Sequence, residues 1–206
     1  MELKGNQLLD SEKIESVKNT SDQNILFDFA MNAEETYNIR KEAIFQITNQ
    51  EILSEIARNV EDKDIRGFAI DKLSDQGKLC DIAKHSNDFY LRAVSIKKIE
   101  DQKTLENIAL EDTDYYVRAM AVKRIDNQSA LEYIAFNDGD YYVRKEAVAK
   151  INSEEMLSKI VFNDEDFQVR KIALKGIKDA NLLTEIVKKV DDHYIKNAAN
   201  LKLKTT

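Results

Sequence analysis

The sequence predicts an all-α protein, an alpha-alpha superhelix of about seven helix pairs, and three observations carry that expectation. The first is a period. A basic residue stands at Arg40, Arg66, Arg92, Arg118, Arg144, Arg170 and Lys196, a spacing of 26 without slip. A fixed repeat in this range marks a solenoid, in which each unit buries its apolar face against the next. The second is the grammar around that residue. Asp114-Tyr115-Tyr116-Val117-Arg118 is followed by Ala121, Val122 and Ile125, which share one helical stripe with Val117. The third is composition: 206 residues with no proline and only five glycines favour uninterrupted helices.

Taken in order, residues 1–21 do not fit the repeat. Asp10 to Val17 reads as a short helix with a polar start, an N-terminal cap for the outer face of the first unit. The solenoid is expected over 22–206, with repeats at 22–48, 49–74, 75–100, 101–126, 127–152, 153–178 and 179–204, the first carrying one extra residue. Each first helix has a Leu-x-x-Ile-Ala pattern, as in Leu53, Ile56 and Ala57 or Leu105, Ile108 and Ala109. Four residues before each Leu stands a capping residue: Asp22, Asn49, Asp75, Asp101, Asn127, Ser153 or Asp179. Each second helix opens at a repeated acid: Asp62, Asp88, Asp114, Asp140, Asp166 or Asp192. Helices of two to three turns do not persist alone, so stacking must stabilise them. In the last copy Asn200 replaces the usual Val or Leu, which predicts an outer face wetted by water and an end of the array.

The Asp-x-x-Val-Arg-x-x-Ala-Val grammar after Leu-x-x-Ile-Ala resembles HEAT repeats, and most of all the short bacterial kind called phycobilisome-lyase-type HEAT-like repeats. The resemblance spans roughly 22–204. It implies antiparallel helix pairs in a right-handed superhelix, with second helices on the concave side. It also implies a protein-binding or scaffolding role, while some relatives attach bilins and a related group repairs alkylated DNA. Such repeats commonly carry Pro after the repeated Asp. Here that place holds Tyr37, Lys63, Phe89, Tyr115, Tyr141, Phe167 and His193.

Charge narrows the function classes. Lys plus Arg number 31 against 38 Asp plus Glu, a formal net charge of −7, which opposes binding to nucleic acid or an anionic membrane. The single cysteine, Cys80, excludes an internal disulfide or a thiolate metal cluster. Residues 1–6 lack the apolar run of a secretory signal, and nothing is long and apolar enough to cross a bilayer. A cytoplasmic location follows as the expectation, with no cofactor called for.

Four groups of residues are candidates for function. The acids of the second-helix starts, with Arg40, Arg66, Arg92, Arg118, Arg144 and Arg170, read as a structural ladder of caps and charge pairs, within a repeat or to the neighbouring one. Phe89, Tyr90, Tyr115, Tyr116, Tyr141, Tyr142, Phe167 and Tyr194 form an aromatic column at the rim. It either braces the stack or contacts a partner, since tyrosine combines apolar area with a polar tip. Lys97, Lys98, Lys123, Arg124, Lys150, Lys175, Lys178 and Lys202 form a basic strip near second-helix ends. It suits the helix termini, or an acidic partner. Among single residues, Cys80 aligns with Ser54, Glu106, Glu132, Ser158 and Thr184 in an expected solvent-facing column, and His85 and His193 lack metal-site company. No phosphate-cradling glycine loop is present.

The expected function is therefore a non-enzymatic protein- or peptide-binding scaffold using the concave face and the aromatic rim. Lys97, Lys123 and Arg124 join the rings as candidate partner contacts. The alternatives are a bilin lyase or related attachment factor, a nucleic-acid-binding or alkylation-repair module, and a purely structural or engineered array. Oligomeric state is left open.

Overall fold

The computed structural model describes residues 2–205, with side chains from residue 9 onward. Among the described residues the regular structure is fifteen helices and no strand. They fall into two compact units, Met1–Glu100 and Asp101–Thr206. The first unit holds α1 (Glu2–Asn19), α2 (Gln23–Met31), α3 (Tyr37–Gln46), α4 (Gln50–Asn59), α5 (Lys63–Lys72), α6 (Gln76–His85) and α7 (Phe89–Ile96). The second holds α8 (Gln102–Glu111), α9 (Tyr115–Val122), α10 (Gln128–Asn137), α11 (Tyr141–Val148), α12 (Glu154–Asn163), α13 (Phe167–Gly176), α14 (Ala180–Lys189) and α15 (His193–Leu203).

The caps explain where these helices start. Asp22, Asn49 and Asn127 each accept two backbone amides of the turn they open, and Asp75, Asp101, Ser153 and Asp179 each accept one. Asp62, Asp88, Asp114, Asp140, Asp166 and Asp192 do the same for second helices. Thr36 occupies the same place before α3 without a side-chain capping bond. Each such cap contributes about 1 kcal/mol.

Within each unit, first and second helices pack in pairs: α2 on α3, α4 on α5 and α6 on α7, then α8 on α9, α10 on α11, α12 on α13 and α14 on α15. The core between them is the predicted stripe. Leu53, Ile56 and Ala57 of α4 and Ile65, Ala69 and Ile70 of α5 are fully buried. Burial of each such Leu or Ile stabilises by roughly 1.5–3 kcal/mol. Second helices also pack on one another, α3 on α5 on α7 and α9 on α11 on α13 on α15. Alanine at the place three after the basic residue (Ala43, Ala69, Ala121, Ala147, Ala173, Ala199) is fully buried and permits that close approach.

A further tie, not anticipated from the sequence, joins the two ends of every repeat but the last, where Ala180 stands in that place. The first-turn glutamine of a first helix turns its side-chain carbonyl onto the amides that follow the second helix. Gln50 Oε1 accepts from Ser74 N at 2.7 Å and Asp75 N at 3.1 Å. Gln102 accepts from Asp126 N at 3.0 Å, and Gln128 from Asn152 N at 2.9 Å. Glu154 does the same for Lys178 N and Asp179 N, at 2.8 and 2.7 Å.

Two expectations need correction. The N-terminal helix is not the short segment from Asp10 to Val17 but 18 residues long, packed against α3; Asp10 and Ser11 lie in its interior, since Glu2, Leu3, Lys4, Gln7, Leu8 and Leu9 before them are strong helix formers. The Cys80 column does not face solvent: Ser54 and Ser158 are buried, and Cys80, Glu106, Glu132 and Thr184 are half-buried. That position lies beside the apolar stripe, one residue after its Leu.

Candidate functional site

The Asp/Arg column resolves into two jobs. Each repeated Asp caps its own helix start, and each arginine reaches beyond its own start; Asp88 and Asp192 do both jobs, capping while they hold the arginine of the preceding repeat. In the second unit, Arg118 binds Asp138 with two parallel bonds, Nε at 2.8 Å and Nη2 at 2.9 Å, while its Nη1 donates to the Asp112 carbonyl at 2.9 Å. Arg144 repeats this with Asp164 at 2.9 and 3.1 Å and with the Asp138 carbonyl at 3.1 Å. Arg170 binds Asp192 at 2.7 Å and the Asp164 carbonyl at 2.9 Å. In the first unit Arg66 pairs with Asp88 at 2.8 Å, Arg92 donates to the Ser86 carbonyl at 2.8 Å, and Arg40 to the Ala30 carbonyl at 2.9 Å. Each arginine of this kind caps the preceding helix or clasps the next repeat, a use that suits its planar fork of donors.

Asp112, Asp138 and Asp164 were not singled out in the sequence, though they recur every 26 residues two places before the capping acids. Each also accepts the amide of the residue two ahead, at 2.8–2.9 Å, so in Asp138 and Asp164 one carboxylate fixes both a turn and a neighbouring guanidinium. The bonds to Asp138 and Asp164 hold Arg118 and Arg144 above the ordinary arginine range. The bond from Arg170 holds the Asp192 carboxyl below its ordinary range.

The basic strip divides as well. Lys98 donates to the carbonyls of Ile70, at 3.1 Å, and Asp71; Lys150 donates to that of Lys123 at 2.9 Å; and Lys202 to those of Leu174 and Lys175 at 3.1 and 2.8 Å. Lys72 holds the Phe45 carbonyl in the same way. These ammoniums cap the C-terminal carbonyls of the preceding second helix, and burial lowers the pKa of Lys72, Lys98 and Lys202. Arg124 occupies the same register and is half-buried. Lys97, Lys123, Lys175 and Lys178 are exposed.

The aromatic column stays at the surface. Phe89 is 50% exposed, Tyr115 49%, Tyr116 41%, Tyr141 48% and Tyr194 75%. Tyr90, Tyr142 and Phe167 are half-buried. Equivalent rings do not simply stack in file. The first ring of one repeat meets the second ring of the next: Tyr115 and Tyr142 lie edge to face at 6.4 Å, and Phe167 and Tyr194 at 6.1 Å. Tyr115, Tyr116, Tyr141 and Tyr142 with Asp140 surround an open groove of about 430 Å³. Lys145 and Lys123 lie over the Tyr142 ring, 4.4 and 5.6 Å from its centroid. Phe167 and Tyr194 do not line this groove, and Phe89 and Tyr90 belong to the first unit.

No protein-family model matches the chain, and no curated protein matches it. Among solved structures it is similar to the X-ray structure of YibA of E. coli, with a TM-score of 0.52 and 18% identity over 92% of this chain and 84% of that one. The chain has an all-helical, HEAT-like repeat fold. At this identity the likeness concerns the fold alone.

Other aromatic residues were not among the sequence candidates. Tyr37 and Phe68 pack at 6.1 Å in the first unit, with the Lys41 ammonium 4.5 Å from the Phe68 centroid. Tyr133 and Phe136 are exposed on α10. Phe68 went unnoticed because it departs from the repeat at a position where the other copies carry unlike residues. Among the described residues, no helix is long and apolar enough to cross a membrane.

Proposed function

We propose that the chain is a non-enzymatic scaffold that binds a protein or peptide through the second-helix face, with the tyrosine groove as its anchor. The observation that supports this most is the set of four tyrosines around one open groove, at a place where a small residue or Pro would serve the helix start equally well. The repeated aspartates and arginines are engaged with amides, carbonyls and each other, which favours a structural role for them over acid-base chemistry. Within HEAT-like repeats we assign the chain to the short 26-residue kind, on its Asp-x-x-Val-Arg grammar. The free Cys80 suits a reducing compartment, and the cytoplasm is the location that goes with this reading.

Affinity capture from the source cell, followed by binding measurements with the purified partner, tests the proposal. A hot-spot ring contributes about 2 kcal/mol or more, so the Tyr115→Ala/Tyr141→Ala variant should bind about 30-fold more weakly or worse. Unchanged affinity in that variant rejects the groove as the anchor.

A further inference from the structure

The second helices differ from one another mainly on the stripe beside the buried one. In α5 that stripe is Asp64, Gly67, Phe68 and Asp71, at i, i+3, i+4 and i+7. It therefore carries an exposed carboxylate at each end, two helical turns or about 10 Å apart, with a bare backbone and a ring between them. The same places in α3 hold Asn38, Lys41, Glu42 and Phe45, and in α7 Tyr90, Ala93, Val94 and Lys97. Among the second helices α5 alone has two acids there.

Helices α3 and α7 both pack against α5, and each adds a ring. Tyr37 and Tyr90 join Asp64, Gly67, Phe68 and Asp71 around a groove of about 340 Å³ whose lining has no basic side chain. Gly67 keeps it open, since a Cβ there would meet only the Tyr90 hydroxyl, at 3.8 Å. Neither carboxylate forms a salt bridge among the described residues; Lys98, bonded to the Asp71 carbonyl, offsets charge at that end alone. The rings already hold one cation: Lys41, which does not line the groove, places its ammonium over Phe68 and 5.9 Å from the Tyr37 centroid.

We propose that this groove receives the guanidinium of an arginine in a partner peptide. The inference rests on the peptide-binding reading above but not on the tyrosine groove. A guanidinium is planar and weakly hydrated, so it stacks on aromatic faces while its fork of donors reaches carboxylates at the edge. The groove supplies both: three rings as walls, and a carboxylate at each end of its floor. An ammonium would gain the charge attraction without the stacking or the paired bonds.

The test uses the full chain and three fluorescent peptides of one Gly/Ser sequence, bearing arginine, lysine or the uncharged analogue citrulline, followed by anisotropy at physiological salt. The arginine peptide should bind about tenfold or more tighter than the citrulline one, with lysine between. Asp64→Asn/Asp71→Asn should weaken arginine binding by about tenfold, and Gly67→Leu should do so by filling the groove with all charges kept. Leucine is a better helix former than glycine, so the latter variant keeps its helical circular dichroism. Glu106→Gln/Glu111→Gln on α8 makes the same charge change elsewhere and should leave binding within about twofold. Equal binding of the arginine and citrulline peptides, or an equal loss in the α8 control, overturns the groove. If Tyr115→Ala/Tyr141→Ala loses the peptide while the α5 variants keep it, the groove fails and the peptide-binding reading stands. If none of the three peptides binds, the groove fails, and the captured partner alone decides the wider reading.

Discussion

At the scale of single residues, the repeat shows what each position needs by where it fails to repeat. The place three after each basic residue is alanine in six copies and serine in one, Ser95. Ser95 is fully buried and its hydroxyl has no hydrogen-bond partner among the described residues. An unsatisfied buried hydroxyl costs about 1–3 kcal/mol, so Ser95→Ala should stabilise the protein by about 1 kcal/mol, read as a higher denaturant midpoint with an unchanged m-value. A lower midpoint would show that the hydroxyl is bonded in solution. The other departure, Gly176, sits in the register where Lys150 and Lys202 cap the preceding helix. A Cβ there would fall 2.4 Å from Leu157 Cδ1, so packing of a buried leucine has displaced the lysine of that copy.

At the scale of the helix, the question is whether the rings at second-helix starts are braces or contacts. Removing a ring buried in a core costs about 3–5 kcal/mol, and a half-exposed ring well under half of that. Tyr115 and Tyr141 are each about half exposed and meet a neighbour at one edge, as in the pair Tyr115–Tyr142. Denaturant unfolding of Tyr115→Ala and Tyr141→Ala should therefore show losses of about 1–2 kcal/mol each. Core-sized losses would make the rim architecture. Helix starts and buried stripes were legible because their causes are local: a capping side chain acts two or three residues ahead, and the stripe follows from 3.6 residues per turn. The partners of the arginines and lysines were less legible. Arg118 finds Asp138 and Lys150 finds the Lys123 carbonyl across 20 and 27 residues, and no local pattern distinguishes them from solvated charges.

At the scale of the molecule, each compact unit is a stack held by nearest neighbours, and such stacks gain stability as units are added. The contacts of one copy are written in a form that another copy can reuse. Inserting a second copy of residues 127–152 after Asn152 would place a capping Asn where Ser153 now stands. Arg144 would then meet the Asp138 of the new copy as Arg118 meets the present one. The insertion should add a helix pair's worth of ellipticity and leave the thermal midpoint equal or higher. A lower midpoint would show that the 26-residue unit is not the stacking unit. The period and the helix class were readable at this scale, since both are carried by residue type. The grooves were not. The α5 groove takes its lining from three helices, and its acids fall at positions that vary freely between copies.

The glutamine tie has a bearing on how the protein ages. Slow hydrolysis turns a glutamine side chain into glutamate, and the ties are unequally exposed to that change. Glu154 shows that a carboxylate holds the two amides as well as a carboxamide does. Gln76 (which accepts from Glu100 N at 3.0 Å), Gln102 and Gln128, however, also donate from Nε2 to the carbonyls of Lys98, Arg124 and Lys150, at 3.1, 3.2 and 3.1 Å. Deamidation there would set a carboxylate oxygen against a carbonyl oxygen, whereas at Gln50 the donor bond lost is to Thr48, outside the joint between the repeat's two ends. Chemical damage to old protein would thus loosen the ties of Gln76, Gln102 and Gln128 more than that of Gln50.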